Sequence, residues 1–180
     1  DLSNTAYAIE ALRESGMPPS DPRLQAALAF VQRCQDLRAV NDAAWIAGAG
    51  SGGGVYGPQD AARSWETRAL GSLPRHVPTG SMTYALISTY LLLDLGRDDP
   101  RVQAAVGWLA GNYGFDANPG MGQGRELHGL FHSHALAARA LDLLDSPTLR
   151  LPDGREVDWR ADLYAALKAR AKDAPLPDGT

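Results

Sequence analysis

The chain has a single cysteine, Cys34, so an internal disulfide is excluded. Cys34 falls late in a predicted helix and reads as a small apolar residue rather than a reactive thiol. Long apolar runs are missing as well. The longest, ending at Leu95, is too short to span a bilayer, and no transmembrane segment is expected. Clustered basic charge is also absent. The net charge is −4, the pI is about 5.5, and no Lys/Arg stripe forms on any predicted helix, which argues against a nucleic-acid surface. The glycine cluster Gly48-Ala49-Gly50-Ser51-Gly52-Gly53-Gly54 has no clear strand before it and no Gly-Lys-Ser/Thr after it, so it does not read as a phosphate cradle. There is no signal peptide and no initiator methionine. The chain begins at Asp1 in a helix-capping sequence and ends on Pro177-Asp178-Gly179-Thr180 in mid-turn, so a longer natural protein is expected.

What is present is ordinary globular material: 180 residues, 44% hydrophobic and 21% charged, enough for one domain with a core. The stretch from Gly80 to Gly114 reads as two helices folded back on each other. The first, about Ser81 to Leu95, is apolar nearly all round, as in a helix buried on most sides. Gly96 is expected to stop it in a left-handed position. Asp99 then caps a second helix, about Pro100 to Asn112, with proline at its first position. Val102, Ala105, Val106 and Leu109 form its apolar stripe.

The unit recurs. Thr5-Ala6-Tyr7-Ala8-Ile9 echoes Met82-Thr83-Tyr84-Ala85-Leu86, and Asp21-Pro22-Arg23-Leu24-Gln25-Ala26-Ala27 repeats Asp99-Pro100-Arg101-Val102-Gln103-Ala104-Ala105. A weaker third copy starts at Phe131-His132-Ser133-His134 and ends on the helix from about Asp158 to Lys172. Such internal similarity signals stacked helical hairpins, at about 3–36, 81–112 and 128–172. Within the first, the helix that begins near Asp1 ends at Gly16, and its partner runs from about Pro22 to Asp36. Between hairpins lies an irregular loop of about 37–79, with a short hairpin expected near Val55-Tyr56 and weak helical periodicity around Ala61 to Leu70. Phe115 to Arg125 is a second irregular link. Asp153-Gly154, between short flanks, favours a small β-hairpin.

These residues carry a resemblance. Asp1-Leu2-Ser3-Asn4-Thr5-Ala6, Gly80-Ser81-Met82-Thr83-Tyr84-Ala85, the Asp-Asp-Pro-Arg-Val helix start, Asn118-Pro119-Gly120-Met121-Gly122 and Asp158-Trp159-Arg160 look like the bacterial prenyltransferase/squalene-oxidase repeat proteins. Those are relatives of squalene–hopene cyclases and protein prenyltransferase β subunits. The resemblance covers nearly the whole chain and implies an all-α fold, part of an α/α toroid whose inner helices surround a cavity. It also implies a soluble bacterial protein of the cytoplasm or periplasm. Two functional motifs of the family are changed here. In the cyclases an Asp-x-Asp-Asp-Thr-Ala motif supplies the acid; Ser3 and Asn4 stand where its later aspartates would be, and neither titrates usefully. That leaves Asp1 as a helix cap. In the prenyltransferases a zinc-binding cysteine sits where Ala85 sits here.

The remaining candidates are aromatic and histidine residues. Tyr7, Tyr84 and His134 recur near inner-helix starts, where they would either line an apolar cavity or pack between helices. Trp45 and Trp65 lie in the irregular segment and would cover a pocket mouth, whereas Trp108 and Trp159 read as core. His76, beside Arg75, reads as solvated. If a helix begins near Leu127, His128 and His132 share a face at i and i+4, with Glu126 nearby; zinc is the cofactor such a set would take, and none is otherwise expected. The expectation is a non-catalytic scaffold or binding domain of the repeat type that holds an apolar or isoprenoid ligand or a protein partner. The alternative is an isoprenoid-processing enzyme, a terpene cyclase or prenyltransferase, whose catalytic residues lie outside this chain.

Overall fold

The computed structural model describes residues 1–58 and 76–171. Among the described residues the chain forms six helices and one small antiparallel sheet: α1 (Leu2–Glu14), α2 (Pro22–Gln32), α3 (Gly80–Leu92), α4 (Pro100–Gly111), α5 (Leu130–Leu143), β1 (Leu149–Arg150), β2 (Glu156–Val157) and α6 (Trp159–Arg170). The sheet pairs Leu149 with Val157 and Arg150 with Glu156 around the Asp153-Gly154 turn. The weak helical periodicity around Ala61 to Leu70, Trp65 and the closing Pro177-Asp178-Gly179-Thr180 turn lie outside the described residues.

Helix α3 is the centre of the packing. It contacts α1, α2, α4 and α5, and every residue from Gly80 to Tyr90 is buried. Its sequence permits this because its polar side chains satisfy themselves. Thr83 Oγ1 donates to the Thr79 carbonyl at 2.7 Å, Ser88 Oγ to Tyr84 at 3.0 Å, and Thr89 Oγ1 to Ala85 at 2.7 Å. A hydroxyl bonded back to its own helix can be buried without an unpaired polar atom.

The first two hairpins are built alike, and one constant offset along the chain carries Thr5 to Thr83 and Asp21 to Asp99. Asp21 caps α2 through the Arg23 N–H at 2.9 Å and holds the Arg23 guanidinium at 3.0 and 2.9 Å. Asp99 does the same with Arg101, at 2.9, 2.8 and 2.6 Å. Gln25 Nε2 donates to the Pro19 carbonyl, and Gln103 Nε2 to that of Arg97. The shared Asp-Pro-Arg-x-Gln is thus a local cap that fixes the entry of each second helix.

The structure corrects several boundaries. Helix α3 ends at Leu92, not Leu95, and the left-handed position is taken by Asp94 (φ 60°) instead of Gly96. The Asp94 and Leu95 N–H groups bond back to the Leu91 and Tyr90 carbonyls, the closing pattern that such a position serves. Gly16 ends α1 in the same way. Helix α2 stops at Gln32 rather than near Asp36, because the chain beyond it turns to pair with the glycine segment. Among the described residues no hairpin forms at Val55-Tyr56; an isolated antiparallel bridge joins Gln35 to Gly54. Gly54 is glycine because a Cβ there would press on the Met82 carbonyl at 2.6 Å. The last helix ends at Arg170.

Gln35, fully buried, ties these parts together. Its amide donates to the Gly52 and Arg101 carbonyls at 3.0 and 2.9 Å and accepts from the Tyr90 hydroxyl at 2.9 Å. Burial pushes that hydroxyl's pKa up, so it stays a donor. Cys34 is fully buried and its thiol is pushed up to about 12 by burial. Trp159 is buried, and Trp108 is half-buried against the core.

The caps make stability depend on pH. The bond to the Arg23 side chain holds the Asp21 carboxyl down at about 2, and Arg101 holds Asp99 below its ordinary value. A carboxyl lowered by folding stabilises above its unfolded value of about 3.9, and that stability is lost as pH falls through the folded value. Stability should therefore drop between about pH 4 and about pH 2, and less steeply in the double variant Asp21→Asn/Asp99→Asn. Unfolding curves across that range read the slopes; equal slopes would refute the role assigned to the two carboxylates. Separately, Asp94→Gly should stabilise by about 0.5–1 kcal/mol in urea unfolding, since glycine adopts the left-handed position without strain. The Arg13–Asp94 pair at 3.6 Å, its carboxylate exposed and its guanidinium already bonded to the Leu92 and Met17 carbonyls, offsets little of that gain.

Candidate functional site

The N-terminal ends of α1 and α3 and the turn before α5 meet around a cleft of about 210 Å³. Ser3 comes from the first turn of α1, Ser81 and Met82 from α3, Asn118 and Met121 from the irregular link, and His128 and His132 from either side of the start of α5. Tyr56, from the segment that follows the glycine cluster, completes the wall.

Each wall residue is placed by a local cause. Asp1 caps α1, accepting from the Asn4 N–H at 2.8 Å, as the sequence leads one to expect. Its second oxygen accepts from Asn4 Nδ2 at 3.1 Å and from the Tyr56 hydroxyl at 2.8 Å. Thr79 caps α3. Helix α5 has no side-chain cap; Gly129 precedes it in the left-handed conformation. Asn118 is the organiser. Its Oδ1 accepts from the Ser81 N–H at 3.0 Å and from Ser133 Oγ at 3.4 Å, and its Nδ2 donates to Ser81 Oγ at 3.1 Å. Beside it the Gly80 N–H donates to the Pro119 carbonyl at 2.8 Å.

The sequence candidates divide. Tyr7 is 46% exposed at the rim, its hydroxyl 3.4 Å from His132 Nδ1. Tyr84 is 4% exposed, and burial pushes its hydroxyl pKa up. The two are not equivalent. At the offset that superposes the two caps, Tyr84 corresponds to Ala6, and Tyr7 to Ala85. Matching the tyrosines slips the helix by one residue, a rotation of about 100°, which carries a side chain from the buried face to the exposed one. His134 is also buried. Its Nε2 lies 2.8 Å from the Phe115 carbonyl and so donates to it, which leaves Nδ1 an acceptor that has no partner within the described residues. Phe115 and Phe131 meet its ring edge-on. Trp45 stacks on His76 at 4.4 Å, so His76 is packed rather than solvated. Trp65 lies outside the described residues.

His128 and His132 do reach one cleft, although by a different route from the expected one. Helix α5 begins at Leu130, not near Leu127, so His128 sits in the preceding turn and the i, i+4 face does not exist. Glu126 is turned to its own loop, accepting from the Gly124 N–H at 2.9 Å. Backbone N–H bonds hold its carboxyl below the ordinary value. Among the described residues no group of three or more His, Cys, Asp or Glu side chains is placed to hold a metal ion. Nor is any described helix long and apolar enough to cross a membrane.

Ser3, Ser81, Asn118 and Met121 entered the sequence reading only within the motifs of the resemblance, and Tyr56 only in an expected hairpin; none was a candidate site residue. The one trace was the Asn-Pro-Gly turn at 118–120, which marks a bend but not the side chain's partners. No protein-family model, curated protein or solved structure matches the chain.

Asn118→Ala leaves the buried Ser81 N–H and the hydroxyls of Ser81 and Ser133 short of partners. It should cost about 2–3 kcal/mol in urea unfolding. A loss below about 0.5 kcal/mol would show that the cleft does not depend on it.

Proposed function

We propose that the chain is a non-catalytic binding domain of the prenyltransferase/squalene-cyclase repeat type. Its three helical hairpins form an arc of an α/α toroid, and it takes an apolar ligand between the inner-helix N-termini. The observation that carries the reading is the engagement of Asp1. A carboxyl that protonates an alkene must hold its proton in reach of substrate, yet both oxygens of Asp1 accept hydrogen bonds from Asn4 and Tyr56. Both oxygens are thus taken up in closing the start of α1 and in holding Tyr56, the work of a helix cap rather than of an acid aimed at a substrate.

Binding is supported by the rim. Tyr7, 46% exposed, lies with its hydroxyl 3.4 Å from the cleft residue His132, and Leu127 and Phe131 (63% exposed each) are the chain neighbours of the cleft residues His128 and His132. An apolar approach with a few polar groups at its base is the usual form of a small-molecule site. An isoprenoid with one polar end fits that pattern. The recurrence of the Asp-Pro-Arg-x-Gln cap, in the same register against each preceding helix, supports the repeat reading.

The test is native mass spectrometry of the protein purified from its host, followed by organic extraction. A bound lipid of defined mass is expected, and Tyr7→Glu and Phe131→Glu should each lose it while unfolding at an unchanged midpoint. A protein that carries no lipid and takes up no added farnesol or geranylgeraniol would refute the reading.

A further inference from the structure

A second cavity, of about 440 Å³, lies between α4, α5 and the β-hairpin, and the reading above makes no use of it. Val106, Gly107 and Ala110 of α4, Leu141 of α5, Leu144 just beyond it and Trp159 of α6 give it an apolar lining. Arg97 and Arg150 are its basic members. This volume lies in the range of small-molecule pockets.

Gly107 marks the groove as more than a gap in the packing. It lies inside α4, where glycine is less favourable than alanine. It is exposed, and a Cβ built on it would meet no atom within 4 Å. Nothing in the fold therefore requires a glycine here, in contrast to Gly54. The equivalent position in the otherwise matching first hairpin is Ala29. The second hairpin thus gives up helix stability at a residue of α4 that lines the groove.

The charges say what kind of molecule fits. Arg97 reaches Asp145 at 3.2 Å, but both side chains are more than half exposed, so the pair is weak and easily exchanged. Arg150 has no ion-pair partner among the described residues. Glu156 lies across the sheet from it and joins the same lining.

We propose that this groove binds an acidic aliphatic molecule of the fatty-acid type, its chain lying over Gly107 and its acid group on Arg150 and Arg97. A guanidinium fork suits a carboxylate or a phosphate monoester equally, and the apolar floor suits the chain.

Calorimetric titration with laurate, dodecyl phosphate and dodecanol, each below its micelle concentration, tests this. One acid probe should bind at one site per chain, and which one binds tighter identifies the acid group. Gly107→Leu should weaken it at least about tenfold. Gly107→Ala should weaken it less while raising the unfolding midpoint, a combination that a purely structural glycine would not give. Arg150→Ala should weaken the acid probe about tenfold and leave dodecanol unchanged. Tyr7→Glu, in the other cleft, should leave the acid probe's affinity unchanged, which separates the two sites. The proposal is overturned if neither acid binds saturably, if affinity survives Gly107→Leu, or if dodecanol binds as tightly as both acids.

Discussion

The burial of α3 on every side constrains the rest of the fold. A helix with neighbours all round cannot leave any polar side chain to solvent, so its Ser and Thr residues bond back to their own carbonyls. Its ends have to be closed by other parts of the chain. At the N-terminal end Thr79 and Asn118 supply acceptors; at the C-terminal end Arg13 Nε donates to the Leu92 carbonyl at 2.7 Å. Tyr90, the last residue of the buried run, finds Gln35. The irregular link at 115–129 thus delivers a hydrogen-bond partner, Asn118, to the buried start of this helix.

The glycine-rich segment belongs to the same requirement. Residues 52–56 pass between the starts of α1 and α3. There the Gly54 N–H donates to Thr83 Oγ1 at 2.9 Å, and the Tyr56 carbonyl accepts from the Leu2 N–H at 2.8 Å. Backbone can run this close to backbone only without side chains, which explains Gly54. The cluster, which lacks the sequence context of a phosphate cradle, lets backbone pack on backbone. Gly107 has the opposite setting, open space where the sister repeat has alanine. Glycines alike in sequence thus answer to different physical demands.

Legibility in the sequence followed the range of the interaction involved. The caps at Asp1 and Asp99 involve neighbours two or three residues away, and the sequence shows them as plainly as the structure does. The all-round apolar character of α3 was equally plain, because burial is written in every position of the helix. The ends of α2 and α3 were misjudged where a distant partner decides them: Gln35 leaves the helix for Gly54, and Asp94 accepts a left-handed conformation usually given to glycine. Tyr7 and Tyr84 show how little margin there is. Aligning two tyrosines is attractive, but the caps fix the register one residue away, and only one of the two reaches the cleft rim.

The cleft itself was the least legible part, for a reason built into the architecture. Its walls come from five separated stretches of chain, each contributing a few ordinary residues. None of those residues has a distinctive spacing, because the spacing is set by how far apart the hairpins stack and not by the chain. What the stack does fix is polarity. The starts of α1, α3 and α5 meet at one cleft, with Asn118 among them. On the proposed reading, a binding surface there combines exposed aromatic rings with a polar base already tied to the caps. Its ligand would meet groups that the fold has oriented for its own stability, so little ordering cost remains to be met on binding.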